Sequence, residues 1–212
     1  MKTKFLEVIE KVSGKLAPGR TPTFAEAHIV KAIETLGAGE PVGRIRLSKI
    51  LGLGEGETRT LVRHLRNEGV IEVSRAGIVL SKLGKKILSD LRSKVSEEVE
   101  VPDSSLTVGP YNAAVLTKNV ADFVKYGLEQ RDAAIKAGAQ GATTLIFRND
   151  RLTMPGVSED VFQNIQPIHN MLIAKLKPEE NDVIIIGSAV DKRTAGFAAK
   201  TAALKLLKSK SG

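Results

Sequence analysis

The chain has 212 residues, with 42% hydrophobic and 26% charged residues and a formal net charge of +8. That length is ample for two domains, each with its own core. With no cysteine, disulfides and cysteine-ligated metals are excluded; three isolated histidines do not lead one to expect a histidine-rich zinc site, and no apolar run approaches the ~18 residues of a membrane span.

The charge is unevenly placed. Residues 1–95 hold 18 lysines and arginines against 10 acids, whereas residues 96–212 hold 14 of each. The whole positive excess therefore lies in the first half, which suits a polyanionic partner such as nucleic acid.

In chain order, residues 4–16 are expected as an amphipathic helix with Phe5, Leu6, Val8, Ile9 and Val12 on its apolar side. Its acids argue against a signal peptide. The stretch APGRTPT breaks it, and Thr23 with Glu26 three residues later gives a capping-box pattern for a second helix ending near Gly37. A short helix is expected over Ile45 to Leu51, then a tight turn between Gly52 and Gly54, then a basic helix from Glu55 that ends at Gly69.

At about 100° per residue, Thr58, Leu61, Val62 and Leu65 of that basic helix share its core side. Gly56, Thr60, Arg63 and Asn67 point the opposite way, Arg59 and Arg66 flank one edge of this outer face, and His64 flanks the other. Two alternating segments, VIEVS and GIVLS, follow as a hairpin around Arg75-Ala76-Gly77, and then a helix carrying Ile87, Leu88, Leu91 and Val95.

This order resembles the winged helix-turn-helix DNA-binding domain, over roughly residues 22–92. The resemblance rests on Leu47–Leu51, the Gly52–Gly54 turn, Thr58-Arg59-Thr60-Leu61-Val62 and GVIEVSRAGIVLS. It implies that the basic helix enters a major groove, which admits one helix with a small and polar outer face. The expected double-stranded DNA contacts are Gly56, Thr60, Arg63 and Asn67 in the groove, Arg59 and Arg66 on flanking phosphates, and Arg75 at the wing tip. Arg44, Arg46 and Lys49 add charge on the preceding helix. The same fold also serves as a protein-contact module, in which this arginine face would be solvated. The helices flanking the winged helix are expected either to form a homodimer or to pack on their own domain.

Ser96 to Ser105, acidic and interrupted by a proline, is expected to link a first domain of residues 1–95 to a second of residues 106–212. The second domain reads as a strand YNAAVLTK, a long helix over NVADFVKYGLEQRDAAIKAG, a strand ATTLIF, a turn at Arg148–Arg151 and a partner strand LTMPG. A helix from Ser158 kinked or split at Pro167 follows, then the all-apolar strand DVIIIG, covered on both faces, and a final helix from Asp191 to about Leu207. The order βαββαβα points to an α+β class, with a ferredoxin-like or related α/β sandwich as the second domain; a mixed sheet of another topology is the alternative.

On the wheel of the long helix, Arg131 falls near the middle of an apolar stripe of Val120, Phe123, Val124, Gly127, Leu128, Ala134 and Ile135. A guanidinium there must be paired or face a cavity. One expectation is a site for an anionic small-molecule effector, held by Arg131 with Thr143, Thr144, Arg148 and Ser188. The other is an internal salt bridge from Arg131 to Asp150 or Asp191.

The stretches GLEQRDAAIKAGAQGATTLIFRNDRLTMPG and DVIIIGSA make the whole chain similar to an uncharacterised archaeal family with an N-terminal winged helix and a C-terminal domain of unknown function. That resemblance implies a cytoplasmic protein and a thermophilic source, and no known activity. The chain shows no Ser-His-Asp or Cys-His arrangement and no P-loop. The leading expectation is thus a dimeric, DNA-binding transcriptional regulator and not an enzyme, with no cofactor. The alternatives are an enzyme with an accessory winged helix and a protein-interaction adaptor.

Overall fold

The computed structural model describes residues 4–14, 24–157 and 160–211. The chain forms two compact units, Met1–Leu91 and Arg92–Gly212, each built around its own core.

The first unit contains α1 (Lys4–Ser13), α2 (Glu26–Leu36), α3 (Arg44–Leu51), α4 (Glu55–Asn67), the hairpin β1 (Ile71–Ser74) and β2 (Gly77–Leu80), and most of α5 (Lys82–Arg92). Its helices form where apolar residues recur at helical spacing. Phe5, Leu6, Ile9 and Val12 of α1 are buried with Ile29, Ile33 and Leu36 of α2 and Leu61 and Leu65 of α4, and α1 packs on both of the other two. Each such leucine or isoleucine contributes about 1.5–3 kcal/mol by leaving water. The flanking helices therefore pack on their own unit: α5 buries Ile87, Leu88 and Leu91.

One boundary and one burial differ from expectation. Thr23, expected to cap α2, lies outside the described residues; α2 starts after Ala25, whose N–H donates to His28 Nδ1 at 3.0 Å. His64, expected at the edge of the outer face, is buried. Its Nδ1 lies 2.8 Å from the Val12 carbonyl, and its ring meets Phe24 edge-on at 5.7 Å. A carbonyl only accepts, so this nitrogen carries the proton.

The second unit is a five-stranded, wholly antiparallel sheet in the order β3-β4-β7-β5-β6. The strands are β3 (Val99–Glu100), β4 (Tyr111–Thr117), β5 (Gly141–Arg148), β6 (Arg151–Thr153) and β7 (Val183–Ala189), and the helices are α6 (Leu128–Lys136), α7 (Gln166–Leu176) and α8 (Lys192–Ser211). β4 and β5 run parallel with β7 between them, and β6 and β7 run parallel with β5 between them. Two split βαβ units thus interlock, giving an α+β fold. Of the four strands in these units, the inner two, β7 and β5, are the ones that end them. A ferredoxin-like sheet instead places the starting strands at its centre, so the order here is a related one.

One face of the sheet carries α7, with Leu172, Ile168 and Leu176 against Leu116, Leu145, Ile184 and Ile186. The other carries α6 and α8, whose alanines Ala134, Ala195 and Ala198 meet Ala113 and Ala189. Small side chains let these helices approach the sheet closely. Every residue of β7 is buried, as its unbroken apolar run requires.

Three expectations are corrected here. Residues 96–105, expected as a linker, hold β3, and Val99 in it and Val101 just after it pack into the core. The long helix over 119–138 is instead a 3-10 turn at Ala121–Phe123 followed by α6, separated at Gly127, which has φ +75 and lies against Thr144. Pro167 does not kink a helix; it sits in the first turn of α7, where its missing N–H costs nothing. Ser158, the expected start of that helix, lies outside the described residues.

Candidate nucleic-acid interface

The turn between α3 and α4 is held by side chains as well as backbone. Gly52 closes α3 in the left-handed conformation. Ser48 Oγ donates to the Leu53 carbonyl at 2.7 Å, the Leu53 N–H donates to the Ser48 carbonyl at 3.2 Å, and Leu53 itself is buried. At the start of α4 the Gly54 N–H donates to Glu57 Oε2 at 2.8 Å, half of a capping box. Behind α4, Thr58, Leu61, Val62, His64 and Leu65 are buried. These anchors fix which side of the helix faces outward.

That outward side carries Arg59, Arg63 and Arg66, all exposed. Spacings of four and three residues put them on one stripe about 10 Å long. Between α4 and the hairpin lies a groove of about 510 Å³, lined by Arg44, Arg59, Arg63, Arg66 and Arg75 together with the apolar Val62, Val73 and Ile78. No acidic residue lines it. None of these five arginines, nor Arg46 or Lys49, makes an ion pair with any described residue. Several like charges held together without counterions create a field that concentrates anions. The N-terminus of α4 adds little to it, because Glu55 and Glu57 occupy its first turn.

Of the expected DNA contacts, Arg59, Arg63, Arg66, Asn67 and Arg75 share the groove. Arg46, Lys49 and Gly56 are exposed but lie outside its lining, and Thr60 is half-buried with its hydroxyl donating to the Gly56 carbonyl at 3.1 Å. Val73 was not anticipated. It is 43% exposed, although Ile71, two residues earlier on the same face of β1, is buried. Across the hairpin its register partner Ile78 is 1% exposed, so Val73 is the open edge of an otherwise buried face beside the arginines.

The hairpin is fixed near its tip. Val42 and Ile78 form an isolated antiparallel bridge, which ties the loop after α2 to β2. At the tip Ser74 Oγ accepts the Ala76 N–H at 3.2 Å, leaving Arg75 exposed.

The five residues expected to hold an effector are not brought together. Arg131 is on the exposed side of α6, 3.4 Å from Asp132 and paired with neither Asp150 nor Asp191. Thr143 Oγ1 donates to the Leu106 carbonyl at 2.6 Å, and Thr144, on the opposite face of β5, is buried against Gly127. Arg148 bonds Asn181 Oδ1 at 2.9 Å through Nε and pairs with Asp122. Ser188 lies within β7, where its Oγ accepts the Val108 N–H at 3.3 Å; the start of α8 is capped by Asp191 instead. Arg131 left the core because α6 begins at Leu128. Its buried side is then Gln130 and Ala134.

No described helix is long and apolar enough to cross a membrane. The family model for the CggR N-terminal DNA binding domain matches residues 27–95, which contain α3, α4 and the hairpin. The model for a domain of unknown function, DUF4443, matches residues 108–206. No curated protein matches the chain. Among solved structures, a hypothetical protein from Pyrococcus horikoshii OT3 is similar, with 28% identity and a TM-score of 0.68 over 87% of this chain and 95% of that one. The chain thus joins an N-terminal DNA-binding domain to a C-terminal DUF4443 domain.

Proposed function

We propose that the protein is a transcriptional regulator that binds duplex DNA as a homodimer, with α4 in the major groove and Arg75 on the adjacent backbone or minor groove. The groove between α4 and the hairpin carries this reading: five arginines with no ion-pair partner among the described residues, no acid in the lining, and a helix whose rear face is locked into the core. Arg63, central on the stripe, is assigned to base edges, and Arg59, Arg66 and Arg44 to phosphates. Val73 supplies an apolar contact beside them, suited to a thymine methyl. The second unit is assigned to pairing, and the reading places no catalytic step in either unit.

The test is selection of bound fragments from genomic DNA, repeated with Arg63→Ala and Arg75→Ala. Loss of sequence enrichment with Arg63→Ala alone supports groove reading. Absence of any salt-sensitive duplex binding by the unaltered protein overturns it.

A further inference from the structure

The arginine side of α4 does not begin with an arginine. One turn before Arg59, at the first residue of the helix, stands Glu55. At about 100° per residue it falls about 40° from Arg59 and about 20° from Arg66. The outward side of α4 thus reads Glu55, Arg59, Arg63, Arg66 over about 17 Å, negative at its N-terminal end and positive beyond. Glu55 is exposed, and its carboxylate has no hydrogen bond or ion pair with any described residue. A glutamate four residues before an arginine has the spacing and order that favour a pair, yet none forms. Instead Glu55 and Arg59 line a pocket of about 130 Å³ with Arg44 and Ile45, and Ile45 is 63% exposed. Arg44 and Arg59 also line the groove beside the hairpin, so this pocket adjoins it at the start of α4. The helix does not need Glu55 for its cap. Glu57, on the other side of the helix from Arg59, already accepts the Gly54 N–H.

An acid at this place opposes binding to a duplex in general. Phosphate oxygens repel it, and in the major groove guanine and thymine present acceptors but no donor. Amino donors are found there on cytosine N4 and adenine N6. Beside adenine N6 lies the acceptor N7, which turns the second carboxylate oxygen away. Cytosine is the base whose edge satisfies a carboxylate. Residues at the N-terminal end of a groove-entering helix are the ones that approach base edges, and Glu55 is the first of them. We propose that Glu55 is a specificity-determining residue that accepts a hydrogen bond from the N4 amino group of one cytosine. Arg44 and Arg59 hold the neighbouring phosphates, and Ile45 shields the contact from water. The carboxylate lowers affinity for all other sequences and recovers it at one base pair, so it selects by repulsion as much as by attraction.

The inference rests on the reading of α4 as the helix that enters the groove, and the experiment separates the two. Duplexes are selected from a random pool by the full-length unaltered protein and by Glu55→Gln, Glu55→Ala and Glu57→Ala. The selected and scrambled duplexes are then titrated at one fixed salt concentration. The unaltered protein should require cytosine at one position, any replacement there weakening binding at least about fivefold. Glu55→Gln should prefer adenine at that position, because an amide donates to N7 and accepts from N6. Glu55→Ala should take any base there and bind the scrambled duplex at least about twofold more tightly than the unaltered protein. Glu57→Ala, which weakens the start of the helix, should keep the cytosine. Glu55 is exposed, so circular dichroism should show its variants folded. The inference alone is overturned, with duplex binding intact, by any of three results. These are a Glu55→Gln preference unchanged at every position, a scrambled-duplex affinity that does not rise in Glu55→Ala, and loss of the cytosine preference in Glu57→Ala. An unaltered protein that binds no duplex overturns the regulator reading and this inference together.

Discussion

Val42 and Ile78 exchange two backbone hydrogen bonds, at 2.9 and 3.0 Å, across a bridge one residue long. Through it the loop before α3 holds the hairpin that carries Arg75. Gly77, beside the bridge, has φ +136, and a Cβ there would lie 3.1 Å from Pro41 Cβ and from the Val42 nitrogen. Replacing it with valine meets both a backbone conformation closed to β-branched residues and a crowded neighbour. Gly77→Val should cost about 1–3 kcal/mol in urea unfolding and weaken DNA binding by displacing the wing. Ala76→Ser, at the exposed tip, should change stability by less than about 0.5 kcal/mol.

Arg63 and Arg75 should fail differently. Arg63→Ala should cost about 1–3 kcal/mol at one base position and relax selection there. Arg75→Ala should weaken binding to all sequences alike and lower the salt slope by about 0.9 per lost phosphate contact. Titrations of one selected and one scrambled duplex at several salt concentrations separate the two.

His64 links α4 to the end of α1 from the side opposite the arginines. His64→Leu keeps most of the volume but leaves the Val12 carbonyl without its donor. A loss of about 1–2 kcal/mol is expected, with faster hydrogen exchange confined to α1 and unchanged DNA affinity. Weakened DNA binding at unchanged stability would show that His64 acts on the interface.

Asp182, almost fully buried, accepts the Asn119 N–H at 2.9 Å and the Glu179 N–H at 2.8 Å, and pairs with Lys118 at 2.9 Å. Asp182→Ala removes one partner of this set and should cost about 3 kcal/mol or more. Burial pulls the Lys118 pKa down, but its hydrogen bonds to Asp182 and Glu179 outweigh that, and the net shift is upward. A raised folded pKa gives stability that is complete below the unfolded value and is lost as pH rises through the folded one. The Lys118 contribution should therefore be flat through neutral pH, begin to fall only above about pH 10.4, the ordinary lysine value, and be gone once pH exceeds the raised folded value. Thermal melts of the unaltered protein and Lys118→Met should converge there.

Asp191 caps α8, accepting the Thr194 hydroxyl at 2.6 Å and its N–H at 3.0 Å. The hydroxyl bond first, then the N–H, hold its pKa below the usual aspartate value against a smaller opposing effect of burial. For a lowered folded pKa the stability is present above the unfolded value and lost as pH falls through the folded one. Asp191→Ala should cost about 1 kcal/mol at pH 7, with the difference shrinking below about pH 4. Melting curves at pH 7 and pH 3 check this.

The first unit was largely legible because its helices carry strong periodic stripes and its turns carry glycine. Thr58, Leu61, Val62 and Leu65 were placed correctly behind α4. His64 was missed because a polar side chain at the margin of a wheel gives no sign of the carbonyl that awaits it, here 52 residues earlier. In the second unit, Arg131 seemed buried only while residues 119–138 were read as one helix; the left-handed Gly127 breaks that wheel and resets its phase. The alternation Glu98-Val99-Glu100-Val101 was a strand signal hidden by its acidity. Those acids meet Lys200 and Lys192 of α8, partners about a hundred residues away that no local pattern discloses.

β7 has a consequence for the order in which the protein takes shape. It is the last strand to leave the ribosome, yet it lies between β4 and β5 and pairs with both. Until residues 183–189 emerge, the nascent second unit has a gap at its middle and two unsatisfied edges, while the first unit is already complete. Synthesis thus releases a finished DNA-binding domain before its companion can close, and a message cut short ahead of β7 would yield that domain without its companion.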